Sequence, residues 1–365
     1  VAYFVHQKGW PEGRGGAIDP ALRATRGDLA RLLRFVAEDC DLFDLGEGIC
    51  HQLLPERGYI RPGTLAIGGD SHSTTYGAFN ALGIGVGSSD LAAAAITGRL
   101  WFRVPESIRV LLEGALPARV TAKDLSLDLL RRIGAGGAIY QSVEFAGPGL
   151  AGLRIPDRMT LCNMMAETGA KCAVVPGDEV VRGYFCGQDS VGTAVGADPG
   201  AAYVGEIAVT LDALEPLVAQ PHEVDRVAPA RELRGTPVQM GILGTCTNGR
   251  MEGLEEALEV MGDSRVAAGV EFLVVPASRA IYVEASRRGL LARFVEKGAT
   301  VLPPGCGPCC GSSPGIPSAG ENVISTANRN FLGRMGNTRA NIYLGSPATV
   351  AAAVVAGRIV DPREA

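Results

Sequence analysis

The chain has 365 residues, 47% of them apolar and 20% charged, with a formal net charge of −5. Such a chain is globular, large enough for two or three domains, and excluded from the disordered and low-complexity classes. The acidic balance and the scattered Lys and Arg exclude nucleic acid as the main partner, and no apolar run is long enough to span a bilayer.

No signal peptide is visible, so the expected setting is cytoplasmic. Nine cysteines in such a chain read as ligands or catalytic groups rather than as a secreted disulfide framework. The chain opens at Val1, and further residues are expected to precede it.

From the N-terminus, VHQKGWPEGRGG reads as loop, and ALRATRGDLARLLRFVAEDC as an amphipathic helix ending near Cys40. DLFDLGEGICHQLL places His51 after a glycine-spaced turn. TLAIGG is a short strand, followed by Asp70, Ser71 and His72. Polar groups just beyond strand ends are where open α/β sheets keep their chemistry. Ser88, Ser89 and Asp90 are candidates to cap a helix over LAAAAITGRL. The GIGVG run at 83–87 lacks the G-x-G-x-x-G spacing and reads as a turn or close packing.

A first unit is expected over 1–104 and a second over 105–228. The second contains a strand at PESIRVLLEG, a helix opened by Thr121-x-x-Asp124, and a strand at GAIYQSVEF. Glu144 in that last strand is either an edge residue facing water or a placed acid or base. MTLCNMMAETGAKCAVV supplies a helix and a strand; Cys162, Cys172 and Cys186 read as core or half-exposed thiols. Residues 187–203 and 216–237 read as loop and linker.

The third unit, 229–365, alternates strand and helix, which predicts a parallel sheet with helices on its faces. One strand, VQMGIL, leads into GTCTNGR with Cys246; another, ATVLP, leads into PPGCGPCCG with Cys306 and Cys309. Parallel neighbours lie about 4.8 Å apart, so loops at their ends can converge on one centre.

Several readings of these thiols compete. A redox C-x-x-C belongs at a helix N-terminus, whereas prolines and glycines surround this one. A structural zinc site wants a fourth ligand, and no histidine lies nearby in sequence. Cys310 could complete a four-cysteine set, although adjacent residues rarely aim at one metal. Three thiolates can hold a [4Fe–4S] cluster and leave one iron open, which is the reading favoured here. ISTANRNFLGRMGN adds Arg329 and Arg334, whose forks match carboxylates bidentately; a solvated loop with structural ion pairs is the alternative.

Together GEGICHQ, GGDSHSTTYGA, GTCTNGRMEGL, PGCGPCCG and STANRNFLGRMGN resemble the aconitase superfamily, specifically the large subunit of its split members. The resemblance covers about Asp44 to Asp361 and implies an α/β chain of three α/β/α domains around an iron–sulfur cluster. It implies that Cys246, Cys306 and Cys309 ligate the cluster and that His51 pairs with Asp70. His72, with Glu144, would sit near the leaving hydroxyl; Ser71, Arg329 and Arg334 would hold substrate carboxylates. The implied reaction is dehydration and rehydration of a hydroxy-di- or tricarboxylate.

Two departures stand out. The family's early Asp-His pair has only Asp19, followed by Pro20, as its candidate here. Its serine base and a further arginine belong to a swivelling domain, which in split members is a small partner subunit, so the chain alone is expected to be inactive. The competing classes are a cluster-sensing regulatory protein and a relative that keeps the fold without the chemistry.

Overall fold

The computed structural model describes residues 2–3, 41–43, 46–186, 192–311 and 313–364. The helix expected to end near Cys40, Asp19 with Pro20, and part of the 187–203 loop lie outside these residues. Strands β1 (Ala2–Tyr3) and β2 (Asp41–Leu42) pair in parallel. So do β3 (Leu65–Gly68) and β4 (Leu82–Gly85), joined through a 3-10 segment, Ser71–Phe79.

A four-stranded parallel sheet follows, from β5 (Ser107–Glu113), β6 (Ser142–Ala146), β7 (Cys172–Val174) and β8 (Gly205–Thr210), in the order β7-β6-β5-β8. Along β5 the side chains of Ile108, Val110 and Leu112 are buried in alternation, as the period of two dictates. The helix Ala122–Ile133 starts on the expected capping box. Asp124 accepts from the Thr121 N–H at 2.8 Å while Thr121 Oγ1 accepts from the Lys123 N–H at 3.1 Å. That reciprocal cap fixes the first turn and hence where Lys123 points.

The third sheet has seven strands: β9 (Leu217–Ala219), β10 (Val227–Pro229), β11 (Met240–Gly244), β12 (Glu271–Val275), β13 (Thr300–Val301), β14 (Asn322–Ser325) and β15 (Asn341–Leu344). Their order is β10-β9-β15-β14-β11-β12-β13; β11 to β15 are parallel, and β9 meets both its neighbours antiparallel.

This corrects two expectations. Residues 216–237 are not a linker, because Leu217, Val218 and Ala219 are buried as β9 and Val227–Pro229 pairs beside them as the edge strand β10. The division expected at 228/229 falls inside β10, which belongs to the seven-stranded sheet. Four prolines in that stretch hid the short apolar run. The helix Ser88–Thr97 also begins on Ser88 itself, with Gly87 as an N-cap that offers no side chain.

Met240 and Ile242 of β11, with Leu273 and Val275 of β12, enter a core shared with the four-stranded sheet. Leu243, Phe272, Val274 and Ile324 face the other way, against the helices Met251–Met261 and Pro347–Ala356. The first of these buries Leu254, Ala257, Leu258 and Met261, an i, i+3, i+4, i+7 stripe. Each fully buried leucine contributes about 2 kcal/mol. Covered on both faces, β11 has no exposed residue, and its loop is held by a rigid platform. Among the described residues no helix is long and apolar enough to cross a membrane.

Candidate active site and metal centre

From β11 the chain proceeds to β12 and β13 on one side, then returns to β14 and β15 on the other. The carboxyl ends of β11 and β14 therefore bound a topological switch point, where the two following loops part and leave a crevice. β11 leaves through Gly244, whose φ is 128° and where a Cβ would lie 1.9 Å from the Val275 carbonyl oxygen, so only glycine fits. Cys246 follows on the helical turn Thr245–Asn248. The buried Arg250 guanidinium clamps that turn, donating to the carbonyls of Cys246 (3.0 Å), Pro156 (3.1 Å) and Thr247, and to Thr160 Oγ1 (2.8 Å).

β14 runs into Thr326, whose hydroxyl accepts from the Gly244 N–H at 2.8 Å and donates to its carbonyl at 3.0 Å. This side-chain bridge continues the pairing of β11 and β14 past the sheet and locks both loops together. β13 leads to the 3-10 turn Gly307–Cys310.

Cys246, Cys306 and Cys309 line one cavity, together with Cys50, Cys310, His51, Asp70, His72, Asn328 and Arg334. The donors around the sulfurs suit thiolates. Asn163 and Asn328 point their amide N–H groups at Cys246 Sγ, at 3.3 and 3.2 Å, and an Arg334 nitrogen lies 4.0 Å from Cys309 Sγ. The Arg334 Nε is buried with no acceptor among the described residues. Burial pushes the Cys246 thiol up to about 12 and Cys306 well above its usual range, each reinforced by neighbouring sulfurs. Burial also raises Cys309, against the pull of Arg334. Such thiols ionise when a metal displaces the proton.

A single tetrahedral zinc at about 2.3 Å from each sulfur would hold them about 3.8 Å apart. Among the described residues the one trio of candidate ligands within 4.8 Å of one another is His51, Asp70 and His72, so the three sulfurs are spread more widely than that. Three soft donors around one cavity, too far apart for one ion and surrounded by N–H donors, fit a multi-atom iron–sulfur cluster.

Beside the sulfurs runs a line of alternating charge. Asp70 Oδ1 faces His51 Nε2 and His72 Nδ1, both at 3.2 Å, and accepts from the His72 N–H at 2.8 Å. His72 Nε2 meets Glu167 Oε1 at 2.7 Å, and the same oxygen accepts from Arg329 Nε at 2.7 Å. Arg329 also donates to Ser71 Oγ at 2.9 Å. Ionised carboxylates accept only, so an oxygen facing each ring nitrogen favours the imidazolium form of His72.

The electrostatics agree. Burial works against a charged His72, but its bonds to Asp70 and Glu167 outweigh this and raise it above 6.5. Burial likewise works to raise the two carboxyls. Hydrogen bonds from His51 and His72 hold Asp70 well below its usual range, and His72 with Arg329 hold Glu167 below its own.

His51, Asp70, Ser71, His72, Cys246, Cys306, Cys309, Arg329 and Arg334 are thus brought together. Glu144 is not. On β6 it sits opposite Arg109 of β5 and accepts from Ser107 Oγ at 2.5 Å and from the Tyr203 hydroxyl at 3.1 Å. Glu144 is neither an edge residue nor placed at the site, since it lies half-buried on an interior strand, and the acid that meets His72 is Glu167. Its signal in NMMAETGA was the same as that of Glu144, one carboxylate in an apolar run. The difference is that Met165–Thr168 turns directly under the site. Asn163 and Asn328 were also missed, since amides inside a helix and a loop carry no distinctive spacing. GIGVG is packing: a Cβ on Gly85 would lie 2.8 Å from the Asp70 carbonyl oxygen, so glycine lets β4 lie against the Asp70–Ser71 backbone.

Residues 29–357 match the sequence model of the aconitase family (aconitate hydratase). Among similar curated proteins, the 3-isopropylmalate dehydratase large subunit 2 of Archaeoglobus fulgidus is 46% identical, covering 95% of this chain and 85% of its own. A probable methanogen homoaconitase large subunit from Methanosarcina mazei is 45% identical over 95% of this chain and 89% of its own. The homoaconitase large subunit of Thermus thermophilus is 44% identical over 100% of this chain and 88% of its own. The crystal structure of Thermococcus kodakaraensis aconitase X superposes with a TM-score of 0.52 at 13% identity, covering 86% of this chain and 73% of that one, a likeness of fold alone.

Proposed function

Because the chain belongs to the aconitase family, we propose that this hydro-lyase is the large subunit of a 3-isopropylmalate dehydratase, working in cytoplasmic leucine biosynthesis with a small partner subunit. The family's cofactor is a [4Fe–4S] cluster, and Cys246, Cys306 and Cys309 would hold it; when bound it supplies a Lewis acid for loss of hydroxide. The rest is the work of side chains. Arg329 and Arg334 take substrate carboxylates in their forks, with Ser71 adding a hydroxyl. His72 holds a proton between two carboxylates for the departing hydroxyl, and His51 is oriented by Asp70. What supports the reading is one cavity at a sheet switch point that gathers three thiols with His51, Asp70, His72 and Arg334.

Homoaconitase is the second reading, favoured by relatives of nearly equal identity under that name. The two substrates share carboxylates and a hydroxyl and differ in one side group. The test reconstitutes the chain anaerobically with iron and sulfide, adds a small subunit from a relative, and follows absorbance of the unsaturated intermediate. Isopropylmalate, homocitrate and dimethylmalate are run side by side. Turnover of isopropylmalate only with the small subunit present is the expected result. Preference for homocitrate would move the pathway to lysine, and activity without the partner would overturn its requirement. An iron-loaded complex inert on all three would sink the dehydratase reading in favour of a regulatory or degenerate relative.

Arg329→Lys removes the fork that spans Glu167 and Ser71. Losing one charge-assisted bond costs about 1.5–3 kcal/mol, so KM should rise roughly 10- to 100-fold, with kcat less affected. Steady-state kinetics check this; an unchanged KM would remove Arg329 from the carboxylate site.

A further inference from the structure

Lys123 is fully buried at the second position of the helix Ala122–Ile133. Its Nζ donates to the carbonyls of Thr326 (3.0 Å) and Ala327 (2.6 Å) and approaches Met164 Sδ at 3.4 Å. All three partners are acceptors, and three N–H groups are what an ammonium has, whereas a neutral amine has two. Yet among the described residues no carboxylate forms an ion pair with it. The equally buried Arg158 shows the usual solution, a two-pronged bond to Asp178 at 2.7 and 2.6 Å. An ammonium withdrawn from water costs several kcal/mol, which carbonyl dipoles offset only partly. Burial accordingly pushes Lys123 down to about 7, and the sulfurs of Cys246 and Cys309 are the groups that pull it back most.

The carbonyls it grips lie immediately before Asn328 and Arg329, and the Thr326 carbonyl also accepts from Thr247 of the Cys246 turn. Lys123 therefore stands beneath the switch point, touching the β14 loop and within the field of two thiols.

We propose that Lys123 is a positioning residue for the iron–sulfur centre, its buried ammonium serving as counter-charge to the thiolates of Cys246 and Cys309 while it fixes the loop that carries Asn328 and Arg329. This rests on the cluster reading above. The charge acts on an anionic centre through the loop whose carbonyls it grips. It raises the affinity of the centre for an electron and favours retention of its iron.

The experiment compares the parent chain with Lys123→Met, Lys123→Gln and Lys123→Arg after anaerobic reconstitution. Iron and acid-labile sulfide per chain, the cluster's midpoint potential, and the rate of loss of its visible absorbance under a chelator are measured. In Lys123→Met and Lys123→Gln the potential falls and the centre is lost about tenfold faster, in line with the effect of outer-shell partners on metal sites. Lys123→Arg stays close to the parent. Neutral variants that fail to hold a cluster while Lys123→Arg holds one give the same answer. The proposal is overturned if a neutral variant loads normally with unchanged potential and loss rate, or if Lys123→Arg fails as badly as the neutral pair. A parent chain that binds no iron would bring down the cluster reading itself, an outcome distinct from loaded variants that behave alike.

Discussion

Changing Cys306 to serine should leave a folded protein without its iron and without measurable turnover. The substitution exchanges a soft sulfur for a hard oxygen, which binds iron–sulfur centres poorly. Cys306 is only partly buried in a loop that follows β13, and the core beneath it keeps its apolar contacts. The thermal midpoint of the metal-free chain should therefore stay close to the parent's. Lewis-acid activation is worth several kcal/mol, and each 1.36 kcal/mol is a tenfold change in rate, so the loss is about a thousandfold or more. Iron content, visible absorbance and turnover with the small subunit check it together. Retention of a full iron complement with normal turnover would remove Cys306 from the ligand set. Cys310→Ser is the matched control, because its sulfur lies in the same cavity but is not assigned to the centre.

The second large effect is expected at Glu167. Glu167→Gln keeps the shape of the side chain and removes the charge shared by His72 and Arg329 through one oxygen. General acid–base groups contribute typically 10²–10⁴-fold, and kcat should fall by about that much. The pH profile gives the sharper readout. His72 is raised above 6.5 by Asp70 and Glu167 against burial, so its acid form persists to higher pH than in a free histidine. Without the Glu167 charge that support weakens, and the alkaline limb of the rate profile moves to lower pH.

Stability follows the same sign. A raised folded pKa adds stability that is complete below 6.5 and disappears as the pH climbs through the folded value. The depressed Asp70 and Glu167 act oppositely, adding stability above their ordinary 3.8 and 4.5 that is lost as the pH falls. Between these limits the parent is most favoured over Glu167→Gln, and denaturant melts across the range should show the gap closing at both ends. A gap that does not vary with pH would mean that the Glu167 charge does not act through His72.

How much of this was legible in the chain depends on the range of the signal. The cysteines, His51, the Asp70–His72 run and the arginine pair sit in short motifs that carry the family resemblance, and it is that set of motifs, rather than spacing alone, that singles them out. The parallel third sheet was likewise readable from its alternation. Glu167 and Glu144 look alike in one dimension. Only the packing of Met165–Thr168 beneath the Ser71–Phe79 segment separates a catalytic partner from an acid at the sheet surface. Lys123 was hidden for the same reason: its partners lie more than two hundred positions away, in Thr326 and Ala327. The short strand β9 was masked by Pro216 and Pro221, which flank its three buried residues.

The order of the seven-stranded sheet also bears on how the protein is made. β11 is an interior strand, yet its wall on the Asn328 side is the central strand β14, which leaves the ribosome about eighty residues later. Until then the Cys246 turn has nothing to bond with through Thr326, and two of the three sulfurs are still being synthesised or have just emerged. Iron delivery therefore belongs after translation, to a chain whose sheet is already closed.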